Sequence, residues 1–133
     1  MKTEKVFLDA NILFSVSYGS SGLERFWTLA QQNRCHLIAS RYVIEEARRN
    51  LERADQLKRL EDHLSLVDIV LEADPSIPCP IGLPDKDKPV LMSAISANAV
   101  YLITGDLSHF GPYLGCTIMG TTISLPRDYL LKK

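Results

Sequence analysis

Cysteine is scarce and unpatterned. Cys35, Cys79 and Cys116 are odd in number and widely spaced, with no Cys-x-x-Cys pair, which argues against a disulfide framework or a structural zinc site. Cys35 and Cys116 adjoin apolar runs and are expected to be small core residues rather than reactive thiols. Charge of one sign is also missing. Fifteen basic residues stand against 16 acidic ones, a net charge of -1. That balance excludes a protein that coats nucleic acid by bulk electrostatics, while leaving room for a local basic patch. No apolar run approaches the ~18 residues that span a bilayer. The opening MKTEKVFLDA is unlike a signal peptide, because an aspartate interrupts the apolar stretch too soon. A cytoplasmic protein with no membrane partner is expected. Repeats, low-complexity tracts and a composition break are absent too, so residues 1–133 are read as a single domain.

What is present is an alternation of short apolar runs and amphipathic stretches. Lys5 to Leu8 reads as a strand and residues 10–18 as a short helix; Leu23, Phe26, Trp27 and Ala30 recur at helical spacing, and Phe26 and Trp27 are expected in the core. HLIA, residues 36–39, is a strand, with Ser40 placed to cap the helix YVIEEARRNL. A further helix covers about residues 55–64, and LSLVDIVL is a strand candidate broken by Asp68. Five of the seven prolines then fall between Pro75 and Pro89, marking a loop. A helix over about Lys88 to Asn98 leads into VYLIT, the clearest buried strand. A turn and short helix around His109 and Phe110 precede CTIMG and TISL, and Pro126 suits the first turn of a terminal helix. Near-continuous apolar strands alternating with helices predict a three-layer α/β/α fold with a central parallel sheet.

In such sheets ligands bind beyond the carboxyl ends of the strands, where this chain places acids. Asp9 ends the strand of VFLDANIL, and Asp106 follows VYLITG. Asp9 alone is equally well explained as a helix cap. In the helix after Ser40, at roughly 100° per residue, Val43, Ile44, Ala47 and Leu51 define the buried face. Glu45 points away and pairs on paper with Arg49, whereas Glu46 lies at the border and can reach a cleft. Asp85 or Asp87 can open the next helix. Arg48, Arg49, Arg53, Lys58 and Arg59 cluster after Glu46, but interleaved acids favour a solvated surface over a phosphate track.

Together VFLDANIL, SRYVIEEARRNL, DKPVLMSAISANAVYLITGD and ISLPRDYLL resemble the PIN domain, in the right order over nearly the whole chain. That family includes the VapC-type ribonuclease toxins of toxin–antitoxin pairs and nucleases of RNA processing. The resemblance implies catalytic acids at Asp9, Glu46, Asp87 and Asp106, with Asp87 matching better than Asp85. It implies metal ligation by Asp9, Asp87 and Asp106, support from the polar side chains of Asn11 and Thr104, and Mg²⁺ (or Mn²⁺) as cofactor. Mutually repelling carboxylates call for a hard divalent cation. The implied activity is endonucleolytic hydrolysis of single-stranded RNA. The implied partners are RNA, an antitoxin protein that occludes the cleft and a second copy in a homodimer. Two departures stand out. Pro89 sits two residues past Asp87, and His109-Phe110 occupies a place where many members carry another acid; His109 is placed either to contact substrate or, more simply, to pack structurally beside Phe110. A receiver domain would need a lysine after a late strand, and an aspartyl phosphatase a DxD where Asn11 stands. The remaining alternative is a non-catalytic PIN-fold interaction module binding a protein partner or RNA.

Overall fold

A computed structural model describes residues 3–133. Its centre is a six-stranded sheet of order β3-β2-β1-β4-β6-β5. The strands are β1 (Lys5–Leu8), β2 (His36–Ser40), β3 (Asp68–Val70), β4 (Tyr101–Ile103), β5 (Thr117–Ile118) and β6 (Thr121–Ser124). Every pairing is parallel except β5 with β6. The expected parallel sheet is therefore mostly so, with an antiparallel hairpin at one edge. Met119 and Gly120 make its turn, both at positive φ, the two-residue geometry that follows strand twist.

Helices α1 (Ala10–Tyr18), α2 (Glu24–Gln31), α3 (Arg41–Asn50), α4 (Ala54–Leu64), α5 (Lys88–Ser96) and α6 (Pro126–Leu130) complete the α/β/α layers. Successive strand residues face opposite sides. Val6, Phe7 and Leu8 are all sealed from solvent, as are Leu102 and Ile103, so β1 and β4 are covered on both faces. Phe26 and Trp27 are core residues, as expected: Phe26 stacks on Tyr129 and the Trp27 indole donates to the His63 carbonyl (2.8 Å).

Asparagines stop two of the helices that feed central strands. After α2, Asn33 (φ 57°) donates to the Ala30 carbonyl (3.0 Å) while Arg34 reaches Leu29 (2.9 Å). After α5, Asn98 (φ 60°) donates to Ile95 (2.9 Å) while Ala99 reaches Ala94 (2.9 Å). These paired bonds satisfy the last free carbonyls and turn the chain straight into β2 and β4. Pro89 causes no disruption. It lies in the first turn of α5, where a missing N–H costs nothing.

Several expectations need correction. Ser40 holds the N-cap backbone position of α3, but its hydroxyl makes no capping bond; the Tyr42 amide instead donates to Glu72 Oε1 (2.9 Å), a carboxylate from beyond β3. LSLVDIVL is not one strand, since Leu64 ends α4 and only Asp68–Val70 pairs, at the sheet edge where Asp68 can stay exposed and meet His36. The helix expected to Asn98 ends at Ser96, and the one expected around His109 is a turn followed by a single 3₁₀ turn, Gly111–Tyr113. Cys35 is buried, but Cys116 is exposed. Glu45 pairs with Arg48 rather than Arg49. The basic row is largely neutralised: Arg48 also meets Glu61 (2.8 Å), Arg53 and Arg59 share Asp55, and Lys58 approaches Asp62.

Candidate active site

The chain runs outward from β1 to β2 and β3, then returns to place β4 on the other side of β1. That reversal opens a crevice at the carboxyl ends of β1 and β4, and Asp9 and Asp106 flank it. A cavity of about 540 Å³ there is lined by Asp9, Asn11, Glu46, Asp87 and Asp106, with Phe14, Asn50 and Lys86 among its other walls. The four acids singled out in the sequence thus meet in one place. Asp85 does not join them: it is almost fully exposed and paired with Lys88 (3.0 Å). Asp87, by contrast, is more than nine-tenths buried.

Asp9 is both cap and cavity wall. Its Oδ1 accepts from the Ala10 amide at the start of α1 (2.7 Å). Its Oδ2 accepts from the Thr104 hydroxyl (2.9 Å) and from Asn11 Nδ2 (3.1 Å). Asn11 also receives the Gly105 amide on Oδ1 (2.8 Å), and the Thr104 hydroxyl receives the Asp106 amide (3.1 Å). Asn11 and Thr104 thereby tie the end of β1 to the end of β4. Gly105 fits this seam closely; a Cβ there would sit 3.4 Å from Asn11 Oδ1. Burial pushes the Asp9 carboxyl up to about 6, the Thr104 and Ala10 hydrogen bonds pull against it, and the charges of Glu46 and Asp87 add to the rise. Asp87 is also raised by burial, with the nearby His109 opposing.

The other side of the crevice carries a residue whose role the sequence did not reveal. His109 Nδ1 lies 2.8 Å from Asp87 Oδ2 and 3.0 Å from Asp106 Oδ2. Neither approach has hydrogen-bond alignment, and Asp87 Oδ2 and His109 Nδ1 are buried without a hydrogen-bond partner among the described residues. Asp106 Oδ1 is occupied by the Ser108 and His109 amides (3.0 and 3.1 Å), which fixes the turn that presents His109. One ligating atom from each of Asp87, Asp106 and His109 falls within 4.8 Å of the others. Asp9 and Glu46 stand on the surrounding walls. Orphaned buried lone pairs beside mutually repelling acids fit a divalent cation better than any arrangement of protein donors alone. Lys86 and Phe14 were also missed. Lys86 adjoins Asp87 in sequence, but nothing in a polar loop marks a lysine as cavity-facing, and nothing in an apolar helix sets Phe14 apart from its neighbours.

Comparison with known proteins agrees with this architecture. One chain of the VapBC2 complex from Rickettsia felis, seen in a crystal structure bound to a DNA fragment from their promoter, matches with a TM-score of 0.63. The match covers 91% of this chain and 98% of that chain at 16% sequence identity, a likeness of fold. No curated protein matches in sequence. The PIN domain family model matches residues 5–108, from the first residue of β1 through the turn after Asp106. On that match the chain belongs to the PIN domain family.

Proposed function

We propose that the chain, acting as one domain, is a Mg²⁺- or Mn²⁺-dependent endoribonuclease that hydrolyses phosphodiester bonds of single-stranded RNA. The observation that carries this reading is the convergence of Asp9, Glu46, Asp87 and Asp106 on one cavity at the strand-order reversal. Asp9, Asp87 and Asp106 would hold the cation. When bound, it would offset carboxylate charge, polarise the phosphodiester and acidify water. Glu46, half-buried at the cavity wall, orients the attacking water and takes its proton. Asn11 and Thr104 keep the Asp9 carboxylate in one orientation, so its alignment is not lost to rotation during the reaction. Lys86, at the cavity mouth, is placed to meet a backbone phosphate.

The fold shared with a chain of a VapBC complex supports a further reading, that this is a cytoplasmic toxin paired with an antitoxin that covers the cavity. Homodimerisation belongs to the same proposal. The direct test is incubation of purified protein with single-stranded RNA. Cleavage that requires Mg²⁺ or Mn²⁺, and is lost with EDTA or Asp9→Asn, supports the nuclease. Failure of the folded protein to bind any divalent ion would defeat it and leave the interaction module. Growth arrest on expression, relieved by co-expressing the adjacent gene, tests the toxin assignment; unaffected growth counts against it. Light scattering reads the oligomeric state.

A further inference from the structure

We infer that His109 is a nitrogen ligand of the divalent-cation site and that this donor shifts the site's preference from Mg²⁺ toward transition-metal ions such as Mn²⁺. The inference rests on the metal-dependent reading above and adds to it the identity of a ligand and the class of ion. Three atoms carry it. His109 Nδ1 is 2.8 Å from Asp87 Oδ2 and 3.0 Å from Asp106 Oδ2. With metal–oxygen bonds of about 2.1 Å, neighbouring corners of an octahedron lie about 3 Å apart. The two His109 separations match such an edge, and one ligating atom from each of the three residues lies within 4.8 Å of the others.

The hydrogen bonding points the same way. If His109 were a protonated clamp between two carboxylates, its N–H should lie along a line to one of them. Instead Nδ1 and Asp87 Oδ2 are both sealed from solvent and both lack a hydrogen-bond partner among the described residues, with Asp87 only 8% exposed. Such orphaned lone pairs are costly unless something absent from the protein itself occupies them. Two of the neighbouring carboxylate oxygens are engaged by protein donors. Asp106 Oδ1 accepts two turn amides, and Asp9 Oδ2 accepts Thr104 and Asn11. The two turn amides also fix the ring's approach, since they hold the backbone of His109 itself.

An imidazole at this position changes the chemistry in two ways. It is neutral as a ligand, so it supplies no charge to hold a hard, strongly hydrated Mg²⁺. It is also a borderline-soft donor, whose bond strengthens along the transition series from Mn²⁺ onward. A site with two carboxylates and one imidazole should separate Mn²⁺ from Mg²⁺ more sharply than a site of oxygens alone. The two other histidines are occupied elsewhere, His36 by Asp68 and His63 by Glu24 and the Arg59 carbonyl.

The test uses the full chain, stripped with chelator and loaded with Mn²⁺ alone. Pulsed electron paramagnetic resonance should show ¹⁴N coupling in the wild type and none in His109→Asp. Calorimetric titrations with Mn²⁺ and Mg²⁺ should show the Mn²⁺ preference falling by about tenfold in His109→Asp. Circular dichroism checks that the variant is folded, and the wild-type spectrum does not depend on it. Mn²⁺ bound without nitrogen coupling, or an unchanged preference in a folded variant, overturns the inference while leaving the nuclease reading intact. Binding of neither ion to the wild type overturns both.

Discussion

At the scale of single residues, Asp9 makes the cost of the site measurable. Its carboxyl is raised from the usual range to about 6 by burial, assisted by Glu46 and Asp87. A carboxyl raised on folding binds its proton more tightly in the native state, so its contribution is favourable at low pH. That contribution is lost as pH climbs from about 4 to about 6. Roughly two pKa units correspond to about 3 kcal/mol. Chelator-treated protein should therefore become less stable to urea across that window. Asp9→Asn should flatten that part of the profile, and a wild-type profile identical to the variant's would contradict the assignment. Thr104 offers a second test. Thr104→Val keeps the shape but removes the donor to Asp9 and the acceptor for the Asp106 amide. We expect a loss of about 1–3 kcal/mol in urea denaturation. RNA cleavage should fall by about 10- to 100-fold, as for residues that orient a ligand. Residue identity made Asp9 and Asp106 legible in the sequence, because an acid after a continuous apolar strand is rarely idle. His109 was not legible: its contact with Asp87 spans 22 positions and depends on a turn that no periodicity announces.

At the scale of elements, the caps decide where the site residues stand. Asn98 ends α5 in a left-handed conformation (φ 60°) and launches β4 toward Thr104 and Asp106. Replacing it with valine, which pays a steric cost there, should lower stability by about 1–2 kcal/mol in a melting experiment. Asn98→Gly should be close to neutral. Equal losses for both would mean that the side chain, not the backbone angle, matters. Helices with strong periodicity, such as α3, were read correctly from sequence, and its border position carried Glu46 into the cavity. Its cap was misread. Ser40 has the right residue type and backbone, but a carboxylate 32 residues later, Glu72, captures the Tyr42 amide. Tertiary partners of this kind leave no local trace. In LSLVDIVL the cause is local: Leu64 closes the helix expected over residues 55–64, the Ser65, Leu66 and Val67 amides bond back to its last carbonyls, and only Asp68–Val70 is left to pair.

At the scale of the whole molecule, strand order is what converts four separated acids into one cavity. Alternation of strands and helices made the layered fold legible, whereas the edge hairpin and the order of strands came only from the structure. Asp9 and Asp106 follow adjacent parallel strands, and Asp87 opens the helix that leads to the second of them. A cation shared among these elements would brace them together. Saturating Mn²⁺ should therefore raise the unfolding free energy by about 2.7 kcal/mol at a hundredfold excess over its dissociation constant. The shift is read as a higher melting temperature. It should shrink in Asp87→Asn and Asp106→Asn, and an equal shift in those variants would place the ion elsewhere.

The proline-rich connection between β3 and α5 divides the acids evenly: Asp9 and Glu46 precede it, Asp87 and Asp106 follow it. A nick within that segment, for instance after Cys79, would leave each half with two carboxylates and part of a sheet. Neither piece should cut RNA, while mixing them should restore cleavage if β4 can re-enter beside β1. The same division means that the four acids cannot meet during synthesis until Asp106 has left the ribosome.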